Sequence, residues 1–256
     1  MASFNFAKWN NILGWSVFGV ALLTYWLTVE PTASFWDAGE YITSASNLEV
    51  AHPPGAPLYQ ILGAFFSIFA MNADSIALTI NLMSVFASAF AILFMFWSLT
   101  LLIRRLLNLH GEIGSLQAKA ILGSAAIGSL AFTFTDSFWF SAVEAEVYAS
   151  AAFVMSVLFY AGLRWEQEMH QPRGNRWLIL IAFLIGLSFG IHFMGLLTIP
   201  AIGLLYYFKN TPKITVRNFI IANLVSVAIL LFIFKLLLPS ALKFFSGMEL
   251  FFVNQM

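Results

Sequence analysis

The sequence contains no cysteine, and only 9% of its 256 residues are charged. Without cysteine there is no disulfide framework, no thiolate metal site and no cysteine nucleophile. The lack of charge excludes more. A soluble domain carries roughly 25% charged residues, and twelve basic plus twelve acidic side chains cannot cover a water-exposed chain of this length. Zero net charge gives no footing for nucleic acid as a partner. No Walker, dinucleotide-binding or zinc-helix motif occurs either. What is abundant is apolar: 61% of residues are hydrophobic, 17% are aromatic, and phenylalanine alone occurs 28 times. The chain reads as an all-α polytopic membrane protein.

A helix rises 1.5 Å per residue and must cross about 30 Å of hydrocarbon, so spans are expected as apolar runs of roughly 17 to 25 residues. Seven runs qualify, near 12–29, 76–103, 119–135, 147–163, 177–191, 193–208 and 218–238. The run from Trp177 to Phe208 divides into a hairpin near His192, because basic residues flank it on both sides and belong on one face. The piece Pro57–Met71, entered through Pro53, Pro54 and Pro57, is short and suits a helix lying at the interface. With the N-terminus in the cytoplasm, ten of the twelve basic residues then face inward, and nine of the twelve acids, Glu112, Glu166 and Glu168 excepted, face outward. An outside N-terminus with eight spans scores almost as well and differs only at Lys8. The first apolar run is longer than the core of a signal peptide and no small-x-small site follows it, so it is read as a span. The expected organisation is a single transmembrane module over 1–256, with 31–75 as an extracytoplasmic loop carrying interfacial helices.

Polar density is concentrated in that first loop. Ser34 or Thr32 can cap a short helix on which Asp37, Glu40, Tyr41 and Ser44 share one face. A carboxylate and a phenol so placed can take a proton from a hydroxyl, or hold a cation or a sugar; equally, acids favour a helix N-terminus for the sake of its dipole. His52, held extended by Pro53, stands at the end of the loop where a phosphate could meet it. In a later outer segment Asp136 sits at a span exit, Glu144 and Tyr148 are expected to align at i, i+4 as the next helix enters, and Glu146 points elsewhere, toward a different partner. His192 marks the hairpin tip on the same side. Gly186, Gly190 and Gly195 read as close packing rather than a phosphate loop.

The strings Phe35-Trp-Asp-Ala-Gly-Glu-Tyr41, His52-Pro-Pro-Gly55 and Phe138-Trp-Phe-Ser-Ala-Val-Glu-Ala-Glu-Val-Tyr148, and a span ending in Arg104-Arg105, resemble the GT-C glycosyltransferase superfamily. Within it they are similar to the protein O-mannosyltransferase-like family that includes transmembrane protein 260, whose bacterial members were long a domain of unknown function. The resemblance implies a GT-C-like module of about seven spans in an inner membrane. It implies transfer of a sugar, mannose in the first instance, from a polyprenyl-phosphate donor to protein Ser or Thr hydroxyls outside the cytoplasm. Asp37 would be the catalytic base; Glu40, Tyr41, His52, Glu144, Glu146, Tyr148 and His192 would line the substrate site. A divalent metal stays open as a cofactor. Many relatives have two adjacent acids in this loop, whereas Ala38-Gly39 separate Asp37 from Glu40, which leaves open which acid is the base. Relatives of this type also continue into further helices and a soluble region beyond the point where Met256 ends this sequence. Two other classes fit an apolar chain. A transporter would place ionisable groups near the bilayer midplane, and a noncatalytic scaffold would use the polar loops only as contacts.

Overall fold

A computed structural model describes residues 4–107 and 113–255, so Glu112, placed above among the inner acids, lies outside the described residues. The described residues form helices and no strand. They fall into two compact units divided between Gly195 and Leu196.

In the first unit α1 (Phe6–Leu27), α4 (Ile76–Leu106), α5 (Ser115–Thr133) and α7 (Val147–Glu168) are the long apolar helices. Between them lie the short α2 (Ala38–Asn47), α3 (Pro57–Ser67) and α6 (Asp136–Ala142), and α8 (Asn175–Ser188) follows. α4 is the hub, packed against α1, α3, α5 and α7. Its buried Ser84, Ala87, Ser88, Ala89 and Ala91 let neighbouring backbones approach closely, which is how helices associate when lipid removes the usual hydrophobic drive. Gly14 marks one such approach: a Cβ there would sit 2.7 Å from the Trp97 Nε1. Tyr25, Val85, Ile92, Phe96 and Leu122 fill the space between α1, α4 and α5.

The far ends of α4 and α7 meet, since Arg105 Nη1 lies 3.6 Å from Glu166 Oε2. At the start of α8, Glu168 accepts from Arg164 at 2.6 Å, Arg176 at 2.7 Å and the Trp177 indole at 2.9 Å, stapling α7 to α8.

The second unit holds α9 (Thr198–Asn210), α10 (Val216–Phe232) and α11 (Leu238–Gln255). A π-turn at Ile233–Leu237 joins the last two into one continuous helix of 40 residues. The expected span 218–238 therefore does not stop at Leu238. Pro239 lacks an N–H and its ring would clash with the carbonyl four residues back; the wider π-turn ahead of it absorbs that conflict, so the helix runs on.

Among the described residues, four helices are long and apolar enough to cross a membrane: Ala73–Leu106, Ser115–Thr133, Val147–Glu168 and Val216–Gln255. α1, at 22 residues, has the length, although its tryptophans, tyrosine and asparagines dilute its apolar character. α8 and α9, at 14 and 13 residues, each rise only about 20 Å. The break expected near His192 is present at residues 189–192, and α3, at 11 residues, is too short to span.

Candidate functional site

The chain leaving α1 is fixed before it reaches the first loop. Glu30 N–H donates to the Val143 carbonyl at 3.0 Å, and the fully buried Asn81 donates its amide to the carbonyls of Glu30 at 2.7 Å and Thr32 at 3.0 Å. Neither Thr32 nor Ser34 caps the next helix. The Ser34 hydroxyl instead donates to Glu144 Oε2, and Asp37 is itself the N-cap residue of α2 without a capping bond from its side chain. Just before it, Trp36 takes a left-handed backbone with φ 59°, a conformation that costs a bulky residue about 1–2 kcal/mol. The surroundings hold it there: on the other side of Trp36, Asp37 N–H donates to Glu146 Oε1 at 3.1 Å.

The expected common face of Asp37, Glu40, Tyr41 and Ser44 divides in two. Asp37 and Glu40 are exposed, whereas Tyr41 and Ser44 are buried and Ser44 spends its hydroxyl on the Glu40 carbonyl at 2.7 Å. α2 ends at Leu48 in a left-handed cap, and the chain returns through Ala51 so that His52 comes back over the start of α2. One Glu40 oxygen accepts the His52 backbone N–H at 2.6 Å and the other meets His52 Nδ1 at 3.1 Å. Those two bonds hold the Glu40 carboxyl below the usual carboxylate range. They also leave Nε2 as the free ring nitrogen, 3.9 Å from Asp37 Oδ2. That gap is too long for a direct hydrogen bond, but an oxygen placed between them would lie about 2.8 Å from each. Tyr41 lies under the imidazole, with ring centroids 5.7 Å apart, and packs edge-on against the fully buried Tyr59. Burial, followed by the charges of Glu146, Asp37 and Glu40, pushes the Tyr41 phenol up to about 12, so it is a donor and not a base at neutral pH.

α3 begins on the other side of His52. Pro57 has no N–H to satisfy, and the N–H groups of Leu58 and Tyr59 both donate to the Gly190 carbonyl, at 2.7 and 3.0 Å. The turn after α8 thus seats the loop. His192 in that turn accepts the Met194 N–H at Nδ1, packs 5.6 Å from the Tyr148 ring, and is held below the usual imidazole range by burial.

Glu144 and Tyr148 do not align on one helix, because α7 starts only at Val147 and Glu144 lies in the bend before it. The two glutamates do serve different partners, Ser34 and Asp37, and both are buried beneath the loop. Burial raises the Glu144 carboxyl above its ordinary range. Glu146, 4% exposed, is pushed up to about 7 by burial, against the Asp37 N–H that holds it down; the charges of Asp37 and Glu144 add to the rise. Such a carboxyl keeps its proton in the folded state where the unfolded chain has released it. Stability therefore falls as pH rises from about 4.5 to about 7, by about 3 kcal/mol in all. Glu146→Gln keeps an acceptor for the Asp37 N–H and removes this penalty, so its thermal unfolding midpoint should gain on the wild type between pH 5 and pH 8. Parallel midpoints for the two proteins across that range would refute the assignment.

Asp37, Glu40, Tyr41, His52 and Glu146 are thus brought together, Glu144 braces the loop through Ser34, and Tyr148 with His192 forms a neighbouring pair. Sequence reasoning missed Tyr59 and Asn81 as supports. A single asparagine in the apolar run of α4 was the available signal for the second. Donor atoms of Asp37, Glu40 and His52 all lie within 4.8 Å of one another. A divalent ion held there would share Glu40 with the His52 backbone N–H and Nδ1.

A family described as the protein O-mannosyl-transferase TMEM260 N-terminal domain matches residues 37–215. The protein O-mannosyl-transferase tmem260 of Dictyostelium discoideum is 30% identical over 142 residues, covering 55% of this chain and 15% of that protein. Protein O-mannosyl-transferase TMEM260 of Mus musculus is 28% identical over 173 residues, covering 68% of this chain and 22% of that protein. The chain thus matches less than a quarter of the length of either relative. No solved structure matches.

Proposed function

From the premise that this chain belongs to the protein O-mannosyl-transferase TMEM260 N-terminal domain family, we propose that it forms the catalytic end of a membrane glycosyltransferase that moves mannose from a polyprenyl-phosphate donor to a protein Ser or Thr hydroxyl. The observation that carries this reading is the accessible Asp37 carboxylate, fixed through its own backbone and facing His52 Nε2 across 3.9 Å. An acceptor hydroxyl in that gap gives its proton to Asp37 as its oxygen bonds to the sugar's anomeric carbon. The bond from that carbon to the phosphate oxygen breaks, its electron pair leaves with the lipid phosphate, and configuration inverts. Phosphate is already a good leaving group, so the demand falls on the base. Glu40 keeps the His52 ring oriented; a proton on Nε2 would let it donate to the phosphate.

The site is assigned to the extracytoplasmic side of a bacterial inner membrane. In support, Arg104, Arg105, Arg164 and Arg176 gather at the other end of the helices, as the positive-inside rule expects of a cytoplasmic face. The acids also lie toward the helix ends, most of them on the Asp37 side, rather than near the bilayer midplane, which favours a transferase over a transporter.

The test is an assay of membranes carrying the full-length protein, supplied with labelled mannose either on polyprenyl phosphate or on a nucleotide. Label in protein released by β-elimination, from the lipid donor alone, is the expected outcome. Transfer from the nucleotide alone, or none from either donor, would reject the proposed donor.

A further inference from the structure

We propose that the end of the bundle opposite Asp37 binds the phosphate of an anionic membrane lipid between α1, α4 and α7. From Asn81, which pins the Asp37 loop, to Arg104 is 23 residues of continuous helix, about 35 Å, so the two sites are separate. A partly open cavity of about 250 Å³ lies there, lined among others by Asn10, Asn11, Trp97, Arg104, Tyr160 and Arg164.

Its polar lining is weighted toward donors without acceptors. The Trp97 indole Nε1 and the Arg164 Nε are buried with no hydrogen-bond partner, and an indole N–H or a guanidinium can only donate. The Asn10 Oδ1 is equally unpartnered, and its amide can present the NH₂ instead. Arg104 has no carboxylate partner among the described residues; its guanidinium rests 5.0 Å above the Phe6 ring. Arg164 shares the single carboxylate of Glu168 with Arg176, which leaves that group net positive. Arg104 and Arg164 together present several N–H donors to the cavity, and one ligand with several anionic oxygens answers them. The planar fork of arginine matches phosphate geometry.

Arginines that only mark the inner face would project outward into water. Here the cavity continues from Arg104 to an indole two turns deeper, so a group must enter between the helices to meet Trp97. The flank of α1 beside it exposes Trp9, Ile12 and Trp15, as a surface in contact with lipid does. A basic pocket between helices at headgroup depth takes an anionic lipid.

The experiment titrates the purified full-length chain in detergent with phosphatidylglycerol, phosphatidylcholine or soluble glycerol 3-phosphate, and reads bound ligand by native mass spectrometry and thermal midpoint. One phosphatidylglycerol per chain, bound saturably and at least tenfold more tightly than phosphatidylcholine, is expected. Arg104→Gln should weaken it at least tenfold and Trp97→Phe about threefold. Arg105→Gln, whose arginine is paired with Glu166 outside the cavity, should leave it unchanged. If the glutamine variant does not fold, Arg104→Lys keeps the charge but loses the fork, and a three- to tenfold loss is expected. Wild-type affinity in a folded Arg104 variant overturns the site, and equal affinity for glycerol 3-phosphate overturns the lipid. Neither readout depends on sugar transfer.

Discussion

Asp37→Asn is expected to lower the rate of mannose transfer by about 10²- to 10⁴-fold, the range that a positioned general base contributes. The asparagine is nearly isosteric and cannot accept the hydroxyl proton. The Asp37 side chain makes no capping bond to α2, while the backbone N–H that anchors the residue on Glu146 is untouched by the substitution. Helix content, membrane insertion and acceptor binding should therefore persist, and the loss should fall on kcat rather than on KM. Glu40→Gln offers the contrast. The amide can still accept the His52 N–H but no longer supplies a full carboxylate to Nδ1, so an intermediate loss with a displaced pH profile is expected. Full turnover in Asp37→Asn together with the larger loss in Glu40→Gln would exchange the roles of the two acids.

Gly190→Ala should unseat the loop that carries His52 with the addition of a single methyl. A Cβ at this position would lie 2.6 Å from Leu58 Cβ and 3.2 Å from its backbone nitrogen, and neither atom is the free end of a flexible chain. Either the turn or the start of α3 must move, and both N–H groups that Gly190 accepts would be left short of an acceptor. Overpacking and two weakened bonds together come to about 3 kcal/mol. Hydrogen exchange at the Leu58 and Tyr59 amides should accelerate before global unfolding does. Because His52 lies a few residues ahead of α3, transfer should fall as well. Gly186→Ala, where a Cβ meets nothing within 4 Å, is the matched control. Equal protection of the two amides in both variants would show that the turn does not seat the loop.

Several supports of the site were legible as residue types but not as partners. Gly190 was readable as a site of close packing, yet nothing in its neighbours along the chain names Leu58. Glu144 and Glu146 stand two apart and were readable as serving different partners. Their assignment to Ser34 and Asp37 depends on a bend that delays the start of α7 to Val147, where periodicity had continued the helix backward. The shared face of Asp37, Glu40, Tyr41 and Ser44 failed for a related reason. Spacing describes a helix in isolation, and packing against α3 took Tyr41 and Ser44 out of solvent while leaving the two acids exposed.

What the sequence determined alone is whatever depends on solvation and local backbone chemistry. Few charges in a 61% hydrophobic chain require a membrane, long apolar runs become its helices, and Pro53, Pro54, Gly55 and Pro57 break the chain at a turn before the short α3. Tertiary structure alone decided which groups meet. Asp37 and His52 are fifteen residues apart, and Glu146 lies 109 residues beyond Asp37 and 94 beyond His52; no period or propensity couples such positions. They converge because the Asn81 amide donates to backbone carbonyls, and the Val143 and Gly190 carbonyls accept from backbone N–H groups, that would otherwise be unsatisfied away from water. Buried backbone polarity, satisfied at long range, is what turns a scatter of sparse acids into one site.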